Sequence, residues 1–260
     1  MGIKTKISKN DLPLKYQKYE LIETKHGVSD SVYLLGDKYV LKIFENIKVD
    51  IQNEIELLNL IRELKVIQFV EHLKIDKKPI IVYKYLEGKT LIRPNKQNII
   101  DISKFLRSFH AITAKKNSKN SMIYEKSQLK SVIDKTTNKI IQNYFEAIKI
   151  DLKNDGIIHG DLFPDNAKFL NDKLNGVLDF SEACNGDFLF DLAVVAISWC
   201  FDINKLNTQK LEALIDNYDK NIDKEQFNEY MKYALLYFST MRFVDNRDYQ
   251  ELLNRFESLI

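Results

Sequence analysis

The stretch GIIHGDLFPDN places polar side chains at intervals that suit phosphoryl-transfer chemistry. His159 is followed by Asp161 two positions later, and Asn166 comes five positions after that. In phosphoryl transfer of the kinase type, an aspartate orients the hydroxyl nucleophile and accepts its proton, while an asparagine and a second aspartate hold metal ions. The spacing H-x-D-x-x-x-x-N, followed by an apolar strand that ends in Asp179, matches the protein-kinase pattern. A plain turn and strand cap is the alternative interpretation, and the flanking apolar runs favour the catalytic one.

The second metal ligand follows from the segment after Asn166. The residues AKFL-NDKLN-GVLDF contain two apolar runs around a polar turn centred near Asp172 and Lys173, which predicts a β-hairpin. Because positions equidistant from a hairpin turn face each other, we expect Asn166 alongside Asp179 or Phe180. Amide and carboxylate oxygens suit Mg²⁺, which keeps part of its hydration shell. The sequence therefore predicts a magnesium site at Asn166 and Asp179.

Such a site also needs a lysine on the phosphates and a glutamate that positions it. Lys42 lies within YVLKIF, the second strand of a predicted hairpin whose turn contains Gly36 and Asp37. The helix predicted over KVDIQNEIELLNLIREL offers Glu54 and Glu56. Glu54 shares the apolar face of that helix, whereas Glu56 faces water, so Glu54 is the expected partner. A lysine that reaches solvent from an edge strand is the alternative for Lys42.

The segment ETKHGVSDS, before the first of these strands, is a candidate phosphate loop. Reflection across the hairpin turn puts Lys42 opposite Ser31 or Val32, so this segment would arch over the lysine. It contains a single glycine and is a weak phosphate loop by sequence alone. We expect Gly27, Ser29 and Ser31 to contact the nucleotide.

Composition narrows the classes of protein. The formal net charge is +2, from 39 basic and 37 acidic residues, so no nucleic-acid partner is indicated. The two cysteines, Cys184 and Cys200, lack the CxxC spacing of a zinc ribbon, and the four histidines do not show metal-site spacing, which disfavours a metal-dependent hydrolase. The N-terminus lacks an apolar leader, and DLAVVAISWCF is too short to span a bilayer. We predict a cytoplasmic protein without membrane partners, either a monomer or a homodimer.

The elements that must position these residues change in character along the chain. Strand-like runs dominate up to KPIIVYKYLEG, after which helical patterns begin with NIIDISKFLRSFHAI. One amphipathic helix is expected around Leu129 to Ile150, then a short β segment over residues 157–180, then helices. This pattern predicts an α+β protein with two lobes and a cleft between them. Residues 1–84 would form the nucleotide-binding lobe, and residues 85–260 the catalytic and acceptor-binding lobe.

These motifs together resemble the aminoglycoside phosphotransferase and choline kinase superfamily, which has the bilobal protein-kinase-like fold. HGDLFPDN stands at its Brenner motif, VLDF at its metal-binding strand, YVLKIF at its lysine strand, NEIELLNLI at its glutamate helix and IVYKYLEG at its hinge. The resemblance extends from about Tyr19 to Arg242. GVLDFSEACNGDFLFDLAVVAISWC is most similar to type II homoserine kinases of that group.

The resemblance implies an ATP- and Mg²⁺-dependent kinase that acts on a small-molecule alcohol. It implies that Asp161 is the catalytic base, that Lys42 contacts the nucleotide phosphates and that Glu54 positions Lys42. His159 and Asp191 would brace the catalytic loop. The residues that would line the adenine pocket are Tyr83, Lys84, Tyr85 and Leu86.

The acceptor and one non-enzymatic alternative stay open. Homoserine is the first candidate acceptor, choline or another amino alcohol the second, and an aminoglycoside the third. Candidate acceptor residues in the helical part are Trp199, Phe201, Tyr233, Tyr237, Arg242 and Arg247. Asp179 is followed by Phe and Ser without the glycine of a DFG motif, which disfavours a protein-kinase activation switch. A nucleotide-binding pseudokinase is disfavoured because every core position is filled.

Overall fold

The computed structural model describes residues 2–24, 29–47 and 50–260. The chain divides into two compact units. The first comprises residues up to 87 together with 175–181, and the second comprises 88–174 and 182–260.

The first unit is built on a five-stranded antiparallel sheet with the strand order β1-β2-β3-β5-β4. Its strands are β1 (Leu21–Glu23), β2 (Ser31–Leu35), β3 (Tyr39–Ile43), β4 (Phe69–Ile75) and β5 (Lys78–Lys84). A short 3-10 helix (Lys9–Asp11) and α1 (Leu14–Gln17) precede the sheet, and α2 (Gln52–Leu60) lies between β3 and β4. Residues 175–181 join this unit through a parallel bridge between Val66 and Val177.

The predicted hairpin of β2 and β3 is confirmed. Gly36 has a φ of 55°, a left-handed conformation that glycine adopts without strain and that closes the turn. The register pairs Val32 with Lys42, one of the two alternatives expected for that lysine. Alternate residues of β2 are buried, and Leu35, Leu41 and other apolar side chains of the sheet form a core.

The helical period also gave the correct orientation of α2. Glu54 is 3% exposed, whereas Glu56 is exposed. Because Glu54 lies among Ile55, Leu57 and Leu58 on the buried side, a carboxylate is carried into the interior of the first unit.

The second unit contains most of the helices. They are α3 (Lys96–Thr113), α4 (Lys126–Ile133), α5 (Lys139–Ala147), α6 (Phe188–Trp199), α7 (Thr208–Tyr218), α8 (Lys224–Val244) and α9 (Gln250–Glu257). The strands from this part of the chain are β6 (Gly156–Ile158), β7 (Ala167–Leu170), β8 (Lys173–Val177), β9 (Cys184–Gly186), β10 (Phe201–Asp202) and β11 (Lys205–Leu206). They pair as β6 with β9, β7 with β8, and β10 with β11. A 3-10 helix (Pro164–Asn166) precedes β7.

Two expectations for this part of the chain were wrong. The single helix expected around Leu129 to Ile150 is two helices, α4 and α5. The Asn138 side chain accepts hydrogen bonds from the N–H groups of Ile140 and Ile141 and so begins a new helix, as N-cap asparagines do. The region after residue 180 is also not wholly helical, since β9, β10 and β11 lie there.

The hairpin of β7 and β8 is confirmed, but its turn lies one residue earlier than expected. The turn residues are Asn171 and Asp172, with φ of 49° and 59°. A two-residue turn of this kind needs positive φ at both positions, and Asn and Asp tolerate it better than Lys173 does. The equidistance rule then pairs the position of Asn166 with Val177, so the rule no longer supports the alignment of Asn166 with Asp179.

Among the described residues, none of the helices combines the length and the apolar character needed to cross a membrane.

Candidate active site

Lys42 is the charged centre of the first unit. It lies on β3, is 8% exposed, and donates from Nζ to Asp179 Oδ1 over 2.7 Å and to Ser181 Oγ over 3.2 Å. Asp30 Oδ2 lies 3.7 Å from the same ammonium. Buried lysines are rare unless paired, and the sequence alternative of a solvent-reaching lysine does not describe this side chain.

The surrounding carboxylates keep Lys42 protonated. Burial alone would lower the pKa of the ammonium, but the negative charges of Asp179 and Glu54 outweigh burial, and the pKa lies above its ordinary value. Lys42 is therefore a fixed positive charge, which is what binding of polyphosphate oxygens requires.

Glu54, the expected partner of Lys42, has its hydrogen bond elsewhere. Its Oε1 accepts from the Tyr83 hydroxyl over 2.7 Å, and its buried Oε2 has no hydrogen-bond partner within the described part of the chain. Burial raises the pKa of the Glu54 carboxyl, although Lys42 acts in the opposite direction. The ion pairs of Lys42, among the described residues, go to Asp179 and Asp30. Glu54 acts on Lys42 through its charge.

Asp179 is held in an unusual backbone conformation. Its φ is 64°, in the left-handed region that non-glycine residues rarely adopt, and its Oδ1 accepts hydrogen bonds from both Lys42 and Ser181. The Ser181 bond is 2.6 Å long. Ser181 occupies the position of the glycine in a DFG motif, and its hydroxyl orients the aspartate. Such strained positions are common at functional sites.

The predicted phosphate-loop residues have different environments. Gly27 lies outside the described residues. Ser29 is exposed, and its carbonyl accepts from Lys4 Nζ over 2.9 Å. The Ser31 hydroxyl is fully buried, donates to Glu45 Oε1 over 2.5 Å, and accepts from the N–H groups of Lys4 and Thr5. Because a serine hydroxyl has one hydrogen and two lone pairs, Ser31 can contact a nucleotide only if one of these bonds opens.

Glu45 ties the chain's first residues to this region. It also accepts hydrogen bonds from Lys78 and Thr5, and its N–H donates to Asp30 Oδ1 over 3.1 Å. Burial opposes ionisation of Glu45, but the hydrogen bonds from Lys78, Ser31 and Thr5 outweigh it and hold the pKa at about 2. Through Asp30, this network reaches the ammonium of Lys42.

The predicted adenine-binding residues follow β5. The Tyr83 side chain is buried against Glu54. The N–H of Lys84 donates to Gln68 O over 2.9 Å, and the N–H of Tyr85 donates to Lys38 O over 2.8 Å. These two backbone donors are occupied within the sheet region, which leaves Leu86 as the candidate donor among the predicted hinge residues.

The predicted catalytic loop lies in the second unit, between β6 and β7. Asn166 is 8% exposed, and its Nδ2 donates to Asp161 O over 2.8 Å and to Asp161 Oδ2 over 3.1 Å. The N–H of Asp161 donates to His159 Nδ1 over 3.3 Å. The aspartate is therefore fixed by two other members of the motif on either side of it.

Asp191, at the start of α6, anchors the other side of this loop. It is fully buried, and it accepts hydrogen bonds of 2.8 Å from the N–H groups of His159 and Gly160. His110 Nε2 lies 2.9 Å from Asp191 Oδ2. Burial alone would raise the pKa of Asp191, but its hydrogen bonds with His110 and with the His159 N–H oppose burial, and the pKa lies below its ordinary value. This geometry fits the bracing role that the resemblance implies.

His110 is a member of the site that the sequence did not identify as functional. Its Nδ1 lies 2.7 Å from the Tyr218 hydroxyl, and its ring stacks on Phe188 with centroids 4.0 Å apart. A neutral imidazole satisfies both neighbours when Nε2–H donates to Asp191 and Tyr218 donates to Nδ1. The signal in the sequence was a histidine directly beside the apolar stripe of α3.

Gly160 allows an aromatic ring to approach the loop. Its φ is 79°, and a Cβ at this position would lie 2.6 Å from the Tyr124 hydroxyl. Tyr124, which the sequence analysis also missed, therefore packs on the residue before Asp161. No periodic pattern marks Tyr124, because it precedes α4 in an irregular segment.

The candidate acceptor residues are mostly core side chains. Trp199 is fully buried and donates to Leu162 O over 2.8 Å, and the Tyr233 hydroxyl donates to Tyr124 O over 2.7 Å. Tyr237 is 9% exposed, whereas Arg242 is half-buried. Both of these hydrogen bonds hold backbone segments next to Asp161, so a structural role accounts for the burial of Trp199 and Tyr233. Phe201 is buried beside Arg255, and Arg247 is exposed and paired with Asp245.

Each predicted magnesium ligand, taken within its own unit, offers an oxygen of the kind that Mg²⁺ prefers. Because the Asn166 amide nitrogen is committed to Asp161, the amide is oriented with its oxygen as the remaining acceptor. Asp179 supplies a carboxylate in the first unit, and Mg²⁺ prefers one or two protein oxygens completed by water and phosphates. Within the described residues there is no group of three or more His, Cys, Asp or Glu side chains suited to a metal, so a dedicated protein cage is not present there.

The architecture defines a protein-kinase-like α+β fold. Choline kinase LicA from Streptococcus pneumoniae superposes with a TM-score of 0.69 at 17% identity, covering 92% of this chain and 91% of that one. The GDP complex of wild-type aminoglycoside 2'-phosphotransferase-IIIa superposes with a TM-score of 0.67 at 15% identity, covering 92% and 91%. The predicted fold class is confirmed.

The model of the phosphotransferase enzyme family (APH) matches residues 20–221, and the chain belongs to this family. A homoserine kinase from Parvibaculum lavamentivorans is 29% identical over 198 residues, which are 70% of this chain and 60% of that protein. The chain thus aligns with less than two thirds of the length of this relative. The resemblance stated from the motifs is confirmed.

Proposed function

We propose that this protein transfers the γ-phosphoryl group of ATP to the hydroxyl of a small molecule, with homoserine as the first candidate acceptor. The observation that carries the proposal is the fixed position of Asp161. The Asn166 side chain donates hydrogen bonds to both the backbone carbonyl and the carboxylate of Asp161. A base must be positioned within hydrogen-bond reach of the proton that it accepts, and this loop provides that rigidity.

Asp161 would orient the acceptor hydroxyl for in-line attack and take its proton as the bond to phosphorus forms. Asp191 would keep the loop in place through the N–H groups of His159 and Gly160. The Lys42 ammonium would either break its hydrogen bond with Asp179 or keep it while also contacting the phosphates. Its charge would offset that of the transferred phosphoryl group. When bound through Asn166 and Asp179, Mg²⁺ would neutralise phosphate oxygens.

The choice of homoserine as the first candidate acceptor is supported by the homoserine kinase relative and by the resemblance of the motifs to type II homoserine kinases. Choline or another amino alcohol such as ethanolamine is the second candidate, and an aminoglycoside is the third. Both rank below homoserine because the structural neighbours share only the fold with this chain at their level of identity. A non-catalytic nucleotide-binding protein is the remaining alternative.

The test is ADP release from MgATP in the presence of homoserine, choline, ethanolamine, methylthioribose or kanamycin. We expect Asp161→Asn to lower kcat by about 10²–10⁴-fold, the usual range for loss of a general base, with the KM for ATP little changed. Asp165→Asn is the matched control, because Asp165 is an exposed carboxylate in the same loop. It should stay within about 3-fold of the unmodified enzyme, the scale of surface substitutions.

Two results would count against the proposal. One is ADP release that no acceptor stimulates above the rate with ATP alone. The other is an Asp161→Asn variant that transfers phosphate as fast as the Asp165→Asn control.

A further inference from the structure

Two largely buried tyrosines beside the catalytic loop have hydroxyls that make no hydrogen bond within the described part of the chain. Tyr124 and Tyr237 are 3% and 9% exposed, and their ring centroids lie 4.6 Å apart. Neither hydroxyl is among the fully buried side-chain atoms without a partner in the described residues, so each keeps some exposure. The buried Tyr230 and Tyr233 of this unit do bond through their hydroxyls. Because these hydroxyls keep donor and acceptor capacity that the protein does not use, the pair is suited to a ligand's polar group.

The pair lies next to the proposed base. The position that a Cβ on Gly160 would take is 2.6 Å from Tyr124 Oη, so this hydroxyl touches the backbone of the residue that precedes Asp161. Tyr237 projects from α8 onto the Tyr124 ring. A molecule whose hydroxyl reaches Asp161 would therefore have its neighbouring atoms close to these phenols.

The electrostatic surroundings of both phenols are acidic. Burial has the largest effect on the pKa values of Tyr124 and Tyr237, and both are raised further by the negative charges of Asp161 and Glu182. Two carboxylates thus contribute to the charge effects on both phenols. Such a region attracts a cationic group and repels an anionic one.

Aromatic faces complete the surroundings. The rings of Phe163, in the catalytic loop, and Phe238, next to Tyr237 on α8, pack edge to face with centroids 4.9 Å apart. Both side chains are partly exposed. The face of an aromatic ring carries negative potential and attracts ammonium groups.

We infer that Tyr124 and Tyr237 form an acceptor subsite that binds the ammonium group of an amino alcohol whose hydroxyl is presented to Asp161. The phenol oxygens would accept N–H hydrogen bonds, Glu182 would supply the counter-charge, and Phe163 and Phe238 would cover the group. This inference rests on the proposed function and adds to it the part of the acceptor that is recognised.

Three acceptors of matched length separate ammonium recognition from carboxylate recognition. Homoserine has both groups, 3-aminopropan-1-ol lacks only the carboxylate, and 4-hydroxybutanoate lacks only the ammonium. Since hydrogen bonds to charged groups discriminate by about 10- to 100-fold, we expect kcat/KM for 3-aminopropan-1-ol to exceed that for 4-hydroxybutanoate by at least about 10-fold. Equal values, or a preference for 4-hydroxybutanoate, would overturn the inference.

Substitutions that remove only a hydroxyl test whether Tyr124 and Tyr237 cause the difference in kcat/KM between these acceptors. Tyr124→Phe and Tyr237→Phe should each lower kcat/KM for 3-aminopropan-1-ol by about 10-fold, while kcat/KM for 4-hydroxybutanoate and the KM for ATP change by less than about 2-fold. Tyr230→Phe is the control, since it removes a buried hydroxyl of the same helix that bonds to Asp187, and the ratio between acceptors should not change. An equal loss for both acceptors would show a structural role instead.

Binding measurements keep the inference separate from the proposed function. Isothermal titration of the unmodified protein, saturated with a non-hydrolysable ATP analogue, should give a Kd for 3-aminopropan-1-ol at least about 10-fold lower than for 4-hydroxybutanoate. Equal affinities, or no binding of either compound, would refute the subsite even if phosphate is transferred. Selective binding without transfer would support the subsite and count against the proposed function.

Discussion

Replacement of Gly160 by alanine tests whether the predicted catalytic loop depends on the close approach of Tyr124. An alanine at φ 79° costs about 1–2 kcal/mol in backbone strain. Its Cβ would lie 2.6 Å from the Tyr124 hydroxyl, and overpacking of this kind costs about 1–3 kcal/mol. The lower entropy of the unfolded alanine variant returns about 0.4–1 kcal/mol. We expect Gly160→Ala to lower the free energy of unfolding by about 1–5 kcal/mol.

Urea denaturation of a double-mutant cycle isolates the contact. Tyr124→Leu removes the ring atoms that clash, so its combination with Gly160→Ala should recover the contact part, giving a coupling of about 1–3 kcal/mol. Gly36→Ala is the control for strain alone, because Gly36 has a φ of 55° and nothing within 4 Å of a Cβ. A coupling below about 0.5 kcal/mol would refute the role assigned to the Tyr124 contact.

Three further outcomes follow from contacts in the two units. Ser181→Ala removes the 2.6 Å hydrogen bond to Asp179. We expect calorimetry to show that ATP binding by this variant depends several-fold less on Mg²⁺, and that Ser181→Thr restores the dependence. Asp191→Asn leaves buried donors unpaired, including His110, and should cost about 3–5 kcal/mol in urea unfolding, whereas an unchanged midpoint would exclude the bracing role. Glu45, with a pKa of about 2 against an ordinary 4.5, stabilises the fold above pH 4.5 and loses this contribution as the pH falls toward 2. Acid titration of stability should therefore be flatter for Glu45→Gln.

Local patterns in the sequence predicted the parts of the site that lie on regular elements. The position of Lys42 on β3 was predicted from a hairpin whose turn and strands both have typical residues. Glu54 was distinguished from Glu56 by the helical period alone. Each of these inferences depends only on residues a few positions away. The same reasoning placed the turn between β7 and β8 one residue too late. The choice of Asn171 and Asp172 as turn residues depends on their tolerance of positive φ.

Residues that act through distant contacts could not be found in this way. His110 and Asp191 lie 81 positions apart in the sequence, and their hydrogen bond exists only because α3 and α6 pack together. Tyr124 touches Gly160 from a segment with no regular structure. A single sequence contains no signal for pairings of this kind, whereas the motif around Asp161 is compact enough to be read directly.

The first unit is discontinuous in the chain, and this constrains how it can be produced. Asp179, the strongest counter-charge of Lys42, is translated more than a hundred residues after it, and the bridge from Val66 to Val177 closes equally late. A fragment that stops at residue 87 would bury an ammonium without that carboxylate. Nascent chains would face the same deficit at the ribosome until residue 181 has emerged. Expression of the first unit on its own therefore requires residues 175–181 to be grafted onto residues up to 87.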